Sequence, residues 1–112
     1  MIDIYADLKD TGLYACQQGT VIENRPDSYL TVWNDYSGDN LNGDNETVLI
    51  EYNFTIIYYT TEWNTIYSEF EKIISLLKSK NYVVDGNGFD IDSGDDNYMA
   101  RCIEVRKLER RI

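Results

Sequence analysis

Glu46-Thr47-Val48-Leu49-Ile50-Glu51-Tyr52-Asn53-Phe54-Thr55-Ile56-Ile57-Tyr58-Tyr59-Thr60 decides the fold. Val48, Ile50, Tyr52, Phe54, Ile56 and Tyr58 form a wholly apolar or aromatic row. Leu49, Glu51, Asn53, Thr55, Ile57 and Tyr59 form a mixed one. Successive side chains of a strand point to opposite faces, so a period of two over this length predicts a long strand with one core face. A strand of this length usually bends or carries a bulge.

The next segment changes period. Ile66, Phe70, Ile73, Ile74 and Leu77 fall on one face of a helix predicted over 64–80. Glu69 and Glu71 stand early and Lys78 and Lys80 late, the order the helix dipole favours. Thr61 or Asn64 is suited to cap the start. The apolar stripe needs a sheet to cover it. Burying its five side chains contributes on the order of 10 kcal/mol before conformational entropy is counted.

Outward from this pair the elements are shorter. Residues 2–10 read as a short helix, with Ile2, Tyr5 and Leu8 on one face and Gly12 as its stop. A weak strand is expected at 13–17, and a turn around Pro26. Ser28–Asp35 reads as a strand that is apolar on both faces. Tyr36 to Asn45 is rich in Gly, Asn and Asp, which predicts a long loop. Short strands follow at 82–85 and 89–92, and a final strand at 98–108. In the last, Tyr98, Ala100 and Cys102 favour one inward face while Ile103 and Val105 favour the other, which suggests a bulge near Cys102. The expected fold is α+β: one domain over residues 1–112, a mostly antiparallel sheet, one long helix packed on it and a short N-terminal helix.

Composition narrows function. The chain has 112 residues, with 20 acids, 10 bases, no histidine and a formal charge of −10. Such a field repels phosphate, so neither nucleic acid nor an anionic membrane is an expected partner. The plainest role of the surplus carboxylates is solubility. Docking on a basic protein is the sharper one. Ten tyrosines suit half-buried sheet faces first and protein interfaces second.

Without histidine the commonest general base and the usual nucleophile pairs are missing. No phosphate-binding glycine motif occurs. Asp85-Gly86-Asn87-Gly88-Phe89-Asp90 starts like a calcium loop, then puts Phe89 and Asp90 where a ligand and the required glycine belong. Solvated turn acids are the better reading. Cys16 and Cys102 match no metal or redox spacing and read as free, buried thiols. No enzyme activity, cofactor or metal is therefore expected. The first residues lack a signal-peptide pattern, which points to the cytoplasm.

The order of segments resembles a family. Ile4-Tyr5-Ala6-Asp7-Leu8 to Thr11-Gly12-Leu13, Pro26 to Trp33, the Gly/Asn-rich run before Tyr52–Thr60, the helix 64–80 and the ending Asn97-Tyr98-Met99 to Val105 together resemble the small tail-completion or head–tail joining proteins of long-tailed phages and prophages, also called minor capsid proteins. The likeness spans nearly the whole chain, but each piece is degenerate. Cys16 and the tyrosine-rich central strand depart from the pattern. The resemblance implies a non-catalytic structural subunit that forms a ring, hexameric in such proteins. It would contact itself and neighbouring head or tail proteins, first in the host cytoplasm and then in the virion; an isolated subunit can be a monomer and should self-associate at high concentration. It makes Tyr36, Asp39, Asn40, Leu41, Tyr58 and Tyr59 interface candidates. The basic end holding Arg106, Arg110 and Arg111 is the expected counterpart of an acidic face. The alternative is an acidic inhibitor or immunity-type protein bound to a basic target.

Overall fold

The computed structural model describes residues 3–41 and 48–111. It is an α+β fold: a six-stranded, mostly antiparallel sheet with two helices. In chain order come α1 (Ile4–Leu8), β1 (Tyr14–Gln17), β2 (Ser28–Leu41), β3 (Val48–Thr60), α2 (Ile66–Ser79), β4 (Val83–Val84), β5 (Phe89–Ile91) and β6 (Met99–Arg111). The sheet order is β1-β2-β3-β6-β4, with β5 also paired to β6. Among the described residues, only the β1–β2 pairing is parallel.

The core is the meeting of the two decisive segments. Phe54, Ile56 and Tyr58 of β3 join Leu30 and Val32 of β2 and Ile103 and Val105 of β6 on one face of the sheet. Ile66, Phe70, Ile73, Ile74 and Leu77 of α2 cover that face, and all five are buried. Tyr52 packs at the margin of this cluster. Of the row's described side chains, Phe54, Ile56 and Tyr58 thus lie within the helix-covered core. A 310 turn, Trp63–Thr65, leads into α2, whose N-cap is Thr65 rather than Thr61 or Asn64, with no side-chain cap bond. In α1 the buried pair is Ile4 and Leu8, while Tyr5 is exposed. Asp3 Oδ1 accepts the backbone N–H groups of Tyr5 and Ala6, capping the helix start.

Two expectations are corrected by sheet pairing. The loop expected from Tyr36 is strand as far as Leu41, because β2 stays hydrogen-bonded to β3 down to the pair Leu41↔Val48. Asn42 to Asn45 lie outside the described residues. Nor is there a bulge at Cys102: β3 and β6 pair without a register shift from Thr60↔Met99 to Val48↔Arg111. Both faces of β6 are apolar there because both are covered. Ile103 and Val105 face α2. Ala100 and Cys102 pack with Ile57, Tyr59 and Ile91 on the opposite face. The one shift in β2 falls between Asn34 and Tyr36, which leaves Asp35 as an extra residue against β3.

Candidate interaction surface

Strand length against helix length creates the surface. Strands of 13 or 14 residues span about 43 Å, whereas the 14 residues of α2 span about 21 Å. The ends of β2, β3 and β6 therefore run past the helical layer as a three-stranded arm, made by 36–41, 48–53 and 106–111. The molecule measures 53 × 27 × 23 Å. Its radius of gyration is 15.4 Å, against roughly 13 Å for a compact domain of this length.

The arm's outer strands lose their flanking strands at its base. β1 accompanies β2 only along Tyr29–Val32, with one more bond from Gln18 N–H to the Val32 carbonyl. β4 and β5 accompany β6 only up to Arg106. Beyond these points, among the described residues, no strand pairs with the outer side of Asp35–Leu41 or of Lys107–Arg111. A strand edge offers backbone donors and acceptors to any chain that can align with it.

Charge separates the two edges. From Asp35 to Leu41 there are two acids and no base. Residues 106–111 hold four of the ten cations and one acid, while the remaining chain holds 19 acids and six cations. Arg106 reaches across the sheet to Glu51 at 3.4 Å.

Polar clusters hold the body together, one of them at the root of the arm. Arg25 pairs with Asp95, donates to the Tyr29 hydroxyl and stacks 4.4 Å from the Tyr98 ring centre. Tyr98 donates to the Pro26 carbonyl at 2.8 Å, and Tyr29 stacks on Tyr59 at 4.8 Å. These contacts fold residues 18–27 and 92–98 over the face opposite α2. The Asn97 backbone N–H, and then Arg25, hold the Asp95 carboxyl below its ordinary pKa. Arg101 bonds Asp90 at 2.8 Å and lies 4.9 Å from the Tyr67 ring centre. That guanidinium first, and the Tyr67 hydroxyl second, lower the Asp90 pKa. Tyr82, buried, donates to Asp7 at 2.6 Å, and Lys107 lies 4.6 Å from the Tyr82 ring centre. Burial foremost, then Asp7, raises the Tyr82 pKa. Lys107, 3.8 Å from Asp7 Oδ2, thereby anchors the root of the β6 extension to α1 and to Tyr82, in the segment that follows α2.

The expected interface residues divide. Tyr36, Asp39, Asn40 and Leu41 are on the outer strand of the arm, and Arg106, Arg110 and Arg111 are on its other outer strand. Tyr58 is corrected: it is 2% exposed against Phe70, so its side chain is core and not surface. Tyr59 is half-buried in the tyrosine stack. The sequence suits Trp33 to core or edge packing first and leaves an interface role open, and it gives Phe89 no such role; both are exposed apolar groups on the open face, at 51% and 53% exposure. Their alternation with buried Thr31 and neighbouring polar residues gave no sign that this face lacks a helix. Cys16 and Cys102 are free and buried, and burial raises both thiol pKa values.

No protein-family model and no curated protein matches this chain. Among the described residues, no helix is long and apolar enough to cross a membrane.

Proposed function

We propose that this chain is a structural subunit of a phage or prophage particle, a tail-completion or head–tail joining protein that works by assembling into a ring. One observation carries the reading: a three-stranded arm extends past the helical layer, and beyond Asn34 in β2 and Arg106 in β6 its outer strands have no flanking strand among the described residues. A monomer has little use for such an arm, since exposed strand edges invite aggregation. A ring satisfies each edge with a neighbour. The order of segments noted in the sequence supports the same role. In this reading the protein carries out no chemical step, needs no cofactor, and moves from host cytoplasm into the virion.

Sedimentation over a wide concentration range, with negative-stain imaging of the heaviest species, tests it. A concentration-dependent closed ring is expected. A chain that stays monomeric up to millimolar concentration would reject ring assembly. Charge favours one other reading. With 19 acids against six cations outside residues 106–111, the body could grip a basic protein as an inhibitor does. A monomer that captures a cationic nuclease in a salt-sensitive complex would favour that role.

A further inference from the structure

The two outer strands of the arm differ in charge but not in direction. β2 and β6 are each antiparallel to β3, so they run parallel to one another, both toward the arm's tip. The tip row is Leu41↔Val48↔Arg111. A second copy can join these edges in three ways. Two β2 edges related by a two-fold axis would run antiparallel and bring four acids together with no base between them. Two β6 edges, centred on the free stretch, would likewise set Lys107 against Arg111 and Glu109 against Glu109. Both pairings oppose like charges, which destabilises directly facing pairs. The third joins the β2 edge of one copy to the β6 edge of the next, where acids meet bases.

We propose that copies of this chain join through their arms by parallel pairing of the Asp35–Leu41 edge of one copy with the Lys107–Arg111 edge of the next, extending one sheet from subunit to subunit. This rests on the ring reading above and names its contact. The pairing is head-to-tail, so each copy uses both edges once and the series closes only as a ring or continues as a filament. Every copy contributes three arm strands, β2, β3 and β6. A ring of n copies therefore lines its axis with 3n strands. Parallel pairs are slightly weaker than antiparallel ones, and here charge decides between them.

Register follows from the rows. Asp39 pairs with Ile50, which pairs with Glu109, so an unstaggered junction would place Asp39 level with Glu109 of the next copy. Strands closing around an axis must tilt and stagger. An offset of two residues either way moves Asp39 onto Lys107 or Arg111, and an offset of one toward the tip moves it onto Arg110. The blander account is that Arg106–Arg111 only guards an edge, as cations on edge strands often do.

Two experiments separate these. Self-association is measured by sedimentation for the native chain, Asp39→Lys, Arg110→Glu with Arg111→Glu, and the three changes combined. Circular dichroism confirms that each variant is folded. Each edge altered alone should weaken association about tenfold or more, and the combination should recover most of it. Guarding charges predict no recovery. Separately, chains carrying Asn40→Cys are mixed with chains carrying Arg110→Cys and treated with a short thiol crosslinker; the buried native thiols provide the background. Links between the two kinds of chain, exceeding those within either kind, are expected. An oligomer that shows neither recovery nor mixed links overturns the edge pairing and leaves the ring standing. A native chain that never associates overturns both.

Discussion

At the scale of single residues, the body is held by sites that tolerate little change. Gly88 is the sharpest. Its φ is +82°, and a Cβ there would sit 2.6 Å from Phe70 Cε2 and 2.7 Å from the Cys102 carbonyl oxygen. The left-handed backbone disfavours any side chain, and the carbonyl cannot withdraw without breaking the β5–β6 pairing. Gly88→Ala should cost about 2–3 kcal/mol, read as a lower urea midpoint with an unchanged slope. Tyr82 makes a different kind of prediction. Its folded pKa is raised above the unfolded 10.0, chiefly by burial and then by Asp7. Its contribution is complete below about pH 10 and is lost as pH climbs through the raised folded value, since only the unfolded chain then ionises freely. Tyr82→Phe should lower stability by about 1 kcal/mol near neutrality, and should flatten the decline of stability above pH 10. Chemical denaturation at pH 7, 9 and 11 measures both. An alkaline slope as steep as that of the native chain would show that Tyr82 does not govern it. Tyr5, Tyr29 and Tyr67 also have raised pKa values, so a reduced slope is expected rather than none.

At the scale of elements, stability and assembly belong to different parts. Leu77 is fully buried between α2 and the sheet, so Leu77→Ala should cost about 3 kcal/mol and lower the melting temperature markedly. The bulge at Asp35 should behave in the opposite way. Removing Asp35 lets Asn34↔Phe54 and Tyr36↔Asn53 follow one another as consecutive pairs, which heals the ladder without changing the register of the arm. It also removes the bend and extra twist of a bulge, and the bond that Asp35 accepts from Thr55. The deletion should leave the melting temperature within about 4 °C of native, a change of roughly 1 kcal/mol, while weakening self-association because the arm is re-aimed. Loss of folding instead would assign the bulge to the body. This division matches what was legible in the sequence. The pairing of the row Val48–Tyr58 with the stripe Ile66–Leu77 was readable because a period of two meets a period of 3.6 and both stripes need cover, and the structure bears it out at Phe54, Ile56 and Tyr58. The extension of β2 was not readable. Tyr36-Ser37-Gly38-Asp39-Asn40 has turn composition, and it is strand because the first half of β3 offers it a ladder of hydrogen bonds. Tertiary pairing there outweighs local preference. The doubly covered stretch at Cys102 looked like a register fault because sequence pattern alone cannot show that loops, not a helix, close the second face.

At the scale of the whole molecule, the same charges must both repel and attract, and salt separates the two by range. A copy carrying −10 repels another over tens of ångströms, whereas a carboxylate and a guanidinium on paired edges act within a few. The Debye length is about 30 Å at 0.01 M salt, about 10 Å at 0.1 M and about 3 Å at 1 M. Raising salt from 0.01 to 0.15 M should therefore remove most of the long-range repulsion while leaving contact pairs largely intact, and association should strengthen. Raising it further toward 1 M reaches the contact pairs, and association should weaken. The dependence should have a maximum near physiological salt, read from the weight-average mass at fixed concentration. Arg110→Glu with Arg111→Glu makes the chain more acidic and removes the attraction, so its curve should rise throughout and never turn. A native chain whose association only rises with salt would mean that burial of apolar arm surface, rather than the opposed charge of the two edges, sets its assembly.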